Sequence, residues 1–334
     1  FFFQAEDGIR DYKVTGVQTV CSSDLGSENQ ISEEIKLIFD SIAANKKGVP
    51  CTGYYKGAGT GHFVKMIHNG IEYAEMQIIA EAYSVLKSSN FSNPKISDFF
   101  KSLSDINQSS YLIEITSNIL NKEIDGNYLI DKIDSQANHK GTGKLTIETA
   151  LKYGFPLPSI FSAFNARVES HYQNIFLQNY DKLDTKVETN KLRNAIYFSR
   201  LSSMLQGLMF IEFLSNNNSY DIKTKNILDN WAAGCIIRSE LLTELTNICD
   251  EKGMLDINKV QELLDVYFED TKAIVRDAIS SNIPLQVIST SLNWYLNLTS
   301  DFNPSNLIQA QRDYFGAHQV QLIGSKDFLH FEWD

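Results

Sequence analysis

The feature that most limits the fold is helical periodicity that continues from Gly61 to near the end of the chain. Apolar residues recur every three or four positions, and Gly, Pro and Asn mark the breaks. Upstream, residues 31–42 have the pattern of one amphipathic helix and residues 51–55 that of a short strand, as at the end of an α/β domain. The sequence therefore predicts a mainly α protein, with a large all-helical domain preceded by a helix–strand remnant.

The helical part also predicts an internal repeat. The stretch that begins at Ala150 can be laid over the stretch that begins at Ala278, and Pro156 then meets Pro284, 128 positions later. Similarity at so long a period is typical of a duplicated helical unit. The alternative is coincidence between two helical stretches.

Charge and hydropathy exclude several kinds of partner. Lys and Arg number 30 against 41 Asp and Glu, a formal net charge of -11, so no surplus of positive charge favours nucleic acid or an anionic membrane. No apolar stretch approaches the roughly 20 residues that span a bilayer. The four cysteines form no CxxC pair and no Cys/His cluster, so we expect no metal site and a reduced, cytoplasmic setting.

One predicted helix, residues 61–87, carries a polar stripe. At about 100° per residue, an amine, an imidazole, an amide and a carboxylate share a face with a phenol at its edge: Lys65, His68, Asn69, Glu72 and Tyr73. The opposite face is apolar: Ile67, Ile71, Ala74 and Ile78. Lys65 and Glu72, two turns apart, could transfer protons at the two ends of one substrate. Gly70 has a low propensity for a helix interior, so something other than propensity accounts for its position there. A face that binds a ligand is one such reason. The alternative is an ordinary solvated face.

Four segments resemble the 6-phosphogluconate dehydrogenases, the decarboxylating enzymes of the pentose phosphate pathway. In the family's order they are GAGTGHFVKMIHNGIEYAEMQ, HKGTGKLT, AGCIIRSELL and NLIQAQRDYFGAH, which begin at Gly57, His139, Ala233 and Asn306. The resemblance implies oxidative decarboxylation of 6-phosphogluconate to ribulose 5-phosphate and CO2, with NADP as the hydride acceptor and no metal.

The resemblance also implies roles for single residues. Lys65 matches the lysine that takes the proton of the 3-hydroxyl group, and Glu72 matches the acid that protonates the enediol carbon. The remaining matches are substrate contacts: His68, Asn69, Tyr73, Lys140, Thr142, Arg167 and, from the other subunit's C-terminal tail, Arg312 and His318. A homodimer with exchanged tails is implied. Lys140, Arg167 and Arg312 would supply the local basic pocket that phosphate and carboxylate groups need.

The sequence divides into four segments. Residues 1–25 resemble the translated read-through of a sequencing adapter and are predicted to be a non-native leader, the alternative being an ordinary terminus. Residues 26–58 are predicted to be a remnant of a Rossmann-type dinucleotide-binding domain, 59–300 the helical catalytic and dimerisation domain, and 301–334 a tail that reaches the partner subunit.

The glycine fingerprint of dinucleotide binding, G-x-G-x-x-G, does not occur. Gly57, Gly59 and Gly61 have the spacing GxGxG and precede the catalytic helix instead of following a first strand. We therefore expect a truncated chain that binds NADP(H) weakly or not at all.

Two other functions stay open. The chain could act on another 3-hydroxy acid, as the wider β-hydroxyacid dehydrogenase group does, or it could be a non-enzymatic helical dimerisation fragment with a relict pocket. The segments HKGTGK and QRDYFGAH favour a phosphorylated substrate. A screen of phosphorylated and unphosphorylated acids separates the two enzymatic readings.

Overall fold

The computed structural model of the chain describes residues 23–29, 31–46, 48–139, 141–172, 175–176, 186–217, 220 and 222–333. Its contacts divide the chain into two compact units, Phe1–Leu292 and Asn293–Asp334. Within the described ranges, none of the helices has the length and apolar character that crossing a bilayer requires.

A small α/β element opens the first unit. Strand β1 (Ser23–Ser27) precedes helix α1 (Glu33–Ile42), strands β2 (Asn45–Lys46) and β3 (Val49–Pro50), and strand β4 (Thr52–Lys56), which pairs with β1 in parallel. The predicted helix and strand are confirmed within two residues. Strand β1 begins inside the segment predicted to be a non-native leader, so a boundary at residue 25 cuts a strand.

The rest of the first unit is helical. The helices are α2 (Thr60–Ser88), α3 (Asn93–Lys101), α4 (Tyr111–Leu120), α5 (Thr142–Tyr153), α6 (Pro158–Glu169), α7 (Thr189–Asn217), α8 (Thr224–Ala232), α9 (Glu240–Ile248), α10 (Ile257–Ser280) and α11 (Gln286–Thr299), which continues into the second unit. A two-stranded hairpin, β5 (Glu123–Ile124) and β6 (Asn127–Tyr128), follows α4. The predicted mainly α fold is confirmed.

The order of the helices repeats. Helices α2 and α7 each have 29 residues, α5 lies against α2 as α10 lies against α7, and the pair α3 and α4 corresponds to the pair α8 and α9. The hydroxyl oxygens of Ser162 and Thr290, which are 128 residues apart, lie 2.9 Å from each other. Contact between equivalent positions is what a two-fold relation between two halves produces. The helix order thus agrees with the predicted internal repeat.

The two long helices form the centre of the first unit. The side chains predicted to face the core of α2 are all fully buried: Ile67, Ile71, Ala74 and Ile78. Glu75 of α2 and Arg200 of α7 form an ion pair at 3.0 Å, and neither side chain is exposed to solvent. Arg200 also donates to the carbonyl oxygen of Gln108 at 3.0 Å. Because a buried charge is costly without its partner, this pair fixes how α2 and α7 pack together.

The second unit is short. After the end of α11 it contains helix α12 (Ser305–Gly316) and an antiparallel hairpin of strands β7 (Val320–Gln321) and β8 (Phe328–Leu329). Asp313 is the one residue of α12 that is buried. A carboxylate is therefore at the centre of this unit.

Candidate active site

The polar stripe of α2 lies deeper than a solvated helix face. Lys65 and Glu72 are partly exposed, whereas His68 is fully buried and Asn69 is 5% exposed. The Cα atoms of Lys65 and Glu72 are about 10 Å apart along the axis at 1.5 Å per residue. This spacing is comparable to the length of a sugar acid and separates an amine from a carboxyl group, with an imidazole and an amide between them.

His68 is a neutral imidazole with one nitrogen left for a ligand. Burial lowers the pKa of His68 well below its usual value, the charge of Lys65 lowers it further, and the contact with Asn69 opposes both effects. Nδ1 lies 3.2 Å from the side-chain oxygen of Asn69; since that oxygen only accepts, Nδ1 is the donor. In the described part of the chain Nε2 has no hydrogen-bond partner. A buried acceptor of this kind suits a hydroxyl group of a bound molecule.

Tyr73 connects the stripe to two other helices. Its side chain is 5% exposed, and the guanidinium carbon of Arg167, on α6, lies 3.7 Å from the ring centroid. A Cβ atom on Gly143, in the first turn of α5, would lie 2.7 Å from Cδ1 of the same ring. The ring therefore places Arg167 and the start of α5, with Thr142, beside the stripe.

Helix α5 is held against α2 by a close approach. The Thr146 hydroxyl donates to the carbonyl oxygen of Met66 at 2.7 Å. A Cβ atom on Gly70 would lie 2.8 Å from Cγ2 of Thr146. The close packing of α5 therefore explains why a glycine occupies position 70 despite its low helix propensity. A ligand face is not needed to explain it.

The start of α5 has the character of an anion site. Gly141 precedes the helix with φ of 96°, and the N–H groups of the first turn have no intrahelical acceptor. Helix N-termini favour negative charge, and the cation of Arg167 is next to the same tyrosine. Lys140, the other cation predicted for this site, lies outside the described residues.

Arg312 and His318 belong to the second unit, where both side chains are exposed. Arg312 donates to Oε1 of Gln309 at 3.0 Å, and the His318 ring meets the edge of Phe315 with centroids 5.9 Å apart. Their roles as substrate contacts stay predictions.

The glycine turn before α2 does not fit a dinucleotide. A Cβ atom on Gly61 would lie 2.3 Å from the carbonyl oxygen of Asp24, and one on Gly26 would lie 2.3 Å from the hydroxyl of Thr60. Because strand β1 occupies the space beside this turn, a pyrophosphate does not fit there. Among the residues that the structure describes, no group of three or more His, Cys, Asp or Glu side chains could hold a metal ion.

Sequence reasoning missed the residues that shape the site without lining the stripe. Trp231 meets the His68 ring edge to face, with centroids 5.4 Å apart, and is itself fully buried. No periodic signal pairs residues so far apart in the chain. Gly143 and Thr146 lie within HKGTGKLT, and the close spacing of glycine and threonine there was the available signal.

Comparison with known proteins shows the family to which the chain belongs. The family model "6-phosphogluconate dehydrogenase, C-terminal domain" matches residues 61–333. The "6-phosphogluconate dehydrogenase, decarboxylating" of Lactococcus lactis subsp. lactis is 37% identical over 330 residues, which cover 92% of this chain and 69% of the relative. The protein of the same name from Escherichia coli K12 is 36% identical over 324 residues, with the same two coverages.

A solved structure is similar throughout. The 6-phosphogluconate dehydrogenase of Plasmodium falciparum, described in its apo form, with its cofactor NADP+ and with its substrate 6-phosphogluconate, superposes with a TM-score of 0.81 at 34% identity. The match covers 92% of this chain and 70% of that one. In sequence, in helix order and over most of its length, the chain is thus a member of the 6-phosphogluconate dehydrogenase family.

Proposed function

We propose that this chain carries the catalytic machinery for the oxidative decarboxylation of 6-phosphogluconate to ribulose 5-phosphate and CO2. The observation that supports it most is the convergence of the α2 stripe, the start of α5 and Arg167 around the ring of Tyr73. Amine, imidazole and carboxyl groups for proton transfer, with an amide for hydrogen bonding, thus lie beside groups that attract an anion.

The first proton transfer belongs to Lys65. A bound NADP+ would supply an acceptor for the hydride of the substrate's C3–H bond. The Lys65 amine takes the proton of the 3-hydroxyl group as that C–H bond breaks, which leaves a ketone at C3. The neutral His68 holds the sugar acid through Nε2, the atom that has no partner among the described residues.

Three further proton transfers complete the reaction. In the β-keto acid the bond between C1 and C2 breaks, CO2 departs, and the electron pair passes to the C3 carbonyl oxygen, to which Lys65 returns its proton. Glu72 then protonates C2 of the enediol, while the Lys65 amine takes the enediol O–H proton and so restores the ketone. Two groups of opposite function at the two ends of the stripe suit this sequence of transfers.

The remaining predicted site residues bind the substrate, chiefly through its anionic groups. Thr142 and the N–H groups at the start of α5, together with Arg167, bind the phosphate, and Lys140 adds a further cation. Asn69 and Tyr73 orient the sugar chain. Arg312 and His318 complete the site from the partner subunit's tail, so the active form is a homodimer, and the setting is the cytoplasm. We assign no residues to NADP, because the glycine turn before α2 is filled by β1.

A binding and activity experiment tests the proposal. Isothermal titration of the full chain with 6-phosphogluconate and with gluconate is expected to give heat for the phosphorylated acid alone. At an NADP+ concentration high enough to offset weak cofactor binding, replacing Lys65 by Met is expected to lower the rate of NADPH formation by about 1,000-fold, in the range of a lost general base. Lys87→Met, at the other end of α2, is the matched control and keeps the rate.

Each result discriminates among the alternatives. Equal affinity for both acids favours another 3-hydroxy acid as the substrate, and no affinity for either favours a dimerisation fragment. Binding of 6-phosphogluconate without NADPH formation agrees with the expected weak cofactor binding of this chain, which titration with NADP+ measures separately.

A further inference from the structure

The second unit is built around one carboxylate. Asp313 is fully buried and accepts four hydrogen bonds. Its Oδ1 accepts from the Gln319 amide at 2.8 Å and lies 3.0 Å from Nδ1 of His330, while Oδ2 accepts from the Phe331 amide at 3.1 Å and from the Trp333 indole at 2.9 Å. Burial raises the pKa of Asp313, but these donors outweigh it and the net shift is downward. The group is therefore an anion whose two oxygens are both bonded.

Asp313 fixes the turn that carries His318. Ala317 and Gln319, the two neighbours of His318, have φ of 50° and 63°, in the left-handed region that residues other than glycine rarely adopt. The Ala317 amide donates to the backbone oxygen of Asp313 at 2.9 Å, and the Gln319 amide donates to its carboxylate. Two strained residues are thus each tied to Asp313, and the backbone of His318 between them is held in place.

The same turn is connected to Arg312. The Gln309 side chain donates to the carbonyl oxygen of Gln319 at 2.5 Å, and it accepts from the Arg312 guanidinium at 3.0 Å. Displacing Gln319 therefore also displaces the acceptor that orients Arg312. Loss of the Asp313 carboxylate is therefore expected to displace both predicted substrate contacts, Arg312 and His318.

The remaining donors close the C-terminal segment over α12. Strands β7 and β8 pair Val320 with Leu329 and Gln321 with Phe328, which brings the following residues back to the helix. Phe331 and Trp333 then reach Oδ2. The carboxylate therefore connects the helix, the turn and the last described residues of the chain.

We propose that Asp313 is a positioning residue that holds Arg312 and His318 in the arrangement in which they bind the anionic substrate. This inference rests on the proposed function, since it acts through two residues assigned to 6-phosphogluconate. It adds a residue that touches no substrate atom, and it predicts that the integrity of the turn sets substrate affinity.

A double-mutant cycle tests the proposal on the full chain. Asp313→Asn keeps the shape but cannot satisfy all four donors, and it is expected to weaken the affinity for 6-phosphogluconate by about tenfold in isothermal titration. Asp327→Asn, at an exposed position of the same hairpin, is the matched control and leaves the affinity unchanged. In an Arg312→Ala/His318→Ala background, Asp313→Asn is expected to cause no further loss.

The cycle separates positioning from a general structural role. A loss that persists in the double-alanine background, or no loss in the wild-type background, overturns the proposal. If the wild-type chain itself does not bind 6-phosphogluconate, the proposed function fails instead. Should Asp313→Asn not fold, Trp333→Phe decides: it removes one donor and keeps the ring, and a loss of about threefold that vanishes in the double-alanine background supports the proposal. The opposite pattern overturns it.

Discussion

The two long central helices have the same length and nearly opposite surfaces. In α7, residues 195–208 are all buried, whereas α2 leaves Lys65 and Glu72 partly exposed along one side. The polar groups of α7 are used within the protein: Ser199 donates to the carbonyl oxygen of Ala195, and Ser203 to that of Ser199, each at 2.8 Å. One copy of the helix thus supports the core, and the other carries the proposed chemistry.

The two long helices have a structural role in common: each accepts hydrogen bonds from the start of a shorter helix. Glu81 of α2 accepts from the amides of Val287 and Ile288 at the start of α11, at 2.8 and 3.0 Å. Gln206 of α7 accepts from the amide of Ser159 at the start of α6, at 2.9 Å. Each long helix therefore caps a shorter one in the other half. The two helices differ at the stripe, where only α2 carries the residues of the proposed chemistry.

The strongest test of the shared core is the ion pair between the helices. Arg200→Met leaves Glu75 buried without its partner and is expected to lower the free energy of unfolding by about 3 to 5 kcal/mol. Urea denaturation measures the loss. A second replacement, Glu75→Leu, is expected to recover most of it, and a double variant no more stable than Arg200→Met would contradict this account.

The catalytic role of the stripe is tested by comparing one Glu→Gln replacement in each long helix. At the same high NADP+ concentration, Glu72→Gln is expected to lower the rate of NADPH formation by about 100-fold, as for loss of a general acid, with the urea midpoint unchanged. Glu212→Gln in α7 is the control, because Glu212 accepts from the Thr224 hydroxyl and serves the fold. It is expected to move the midpoint and keep the rate. If Glu72→Gln and Glu212→Gln lowered the rate equally, the proposal that α2 carries the chemistry and α7 supports the fold would be wrong.

Glu81 makes the cap on α11 dependent on pH. Burial raises the pKa of Glu81 to about 7, although the amides of Val287 and Ile288 lower it in part. Because the folded state holds this proton more tightly than the unfolded chain does, stability falls as pH rises from about 4.5 through about 7. Between about pH 5 and 8, the wild-type chain is expected to lose about 2 to 3 kcal/mol more than Glu81→Gln. Parallel curves for the two proteins would show that the carboxylate is ionised throughout.

The smallest expected effect is at the contact between equivalent positions. Ser162→Ala removes the hydrogen bond to the Thr290 hydroxyl and is expected to cost about 1 kcal/mol. Thr290→Ser keeps the hydroxyl group and serves as the control. A cost several times larger in urea denaturation would mean that this contact organises the two halves.

Periodicity in the sequence predicted the helices, the buried face of α2 and the shared direction of its polar residues. It could not predict that Trp231 covers His68 or that Arg167 lies on the Tyr73 ring, because these pairs are distant in sequence and their contacts depend on tertiary packing. The four bonds to Asp313 were missed for the same reason. A pattern shows which side of a helix a residue faces, and it does not show what lies opposite.

Two missing methyl groups set how closely α2 and α5 approach each other. Neither Gly70 nor Gly143 leaves space for a side chain, because Thr146 and Tyr73 already occupy it. Related sequences in which either position is alanine should therefore carry a smaller partner: serine or alanine in place of the threonine, or a less bulky residue in place of the tyrosine. Such paired substitutions would show that the family maintains the distance between α2 and α5.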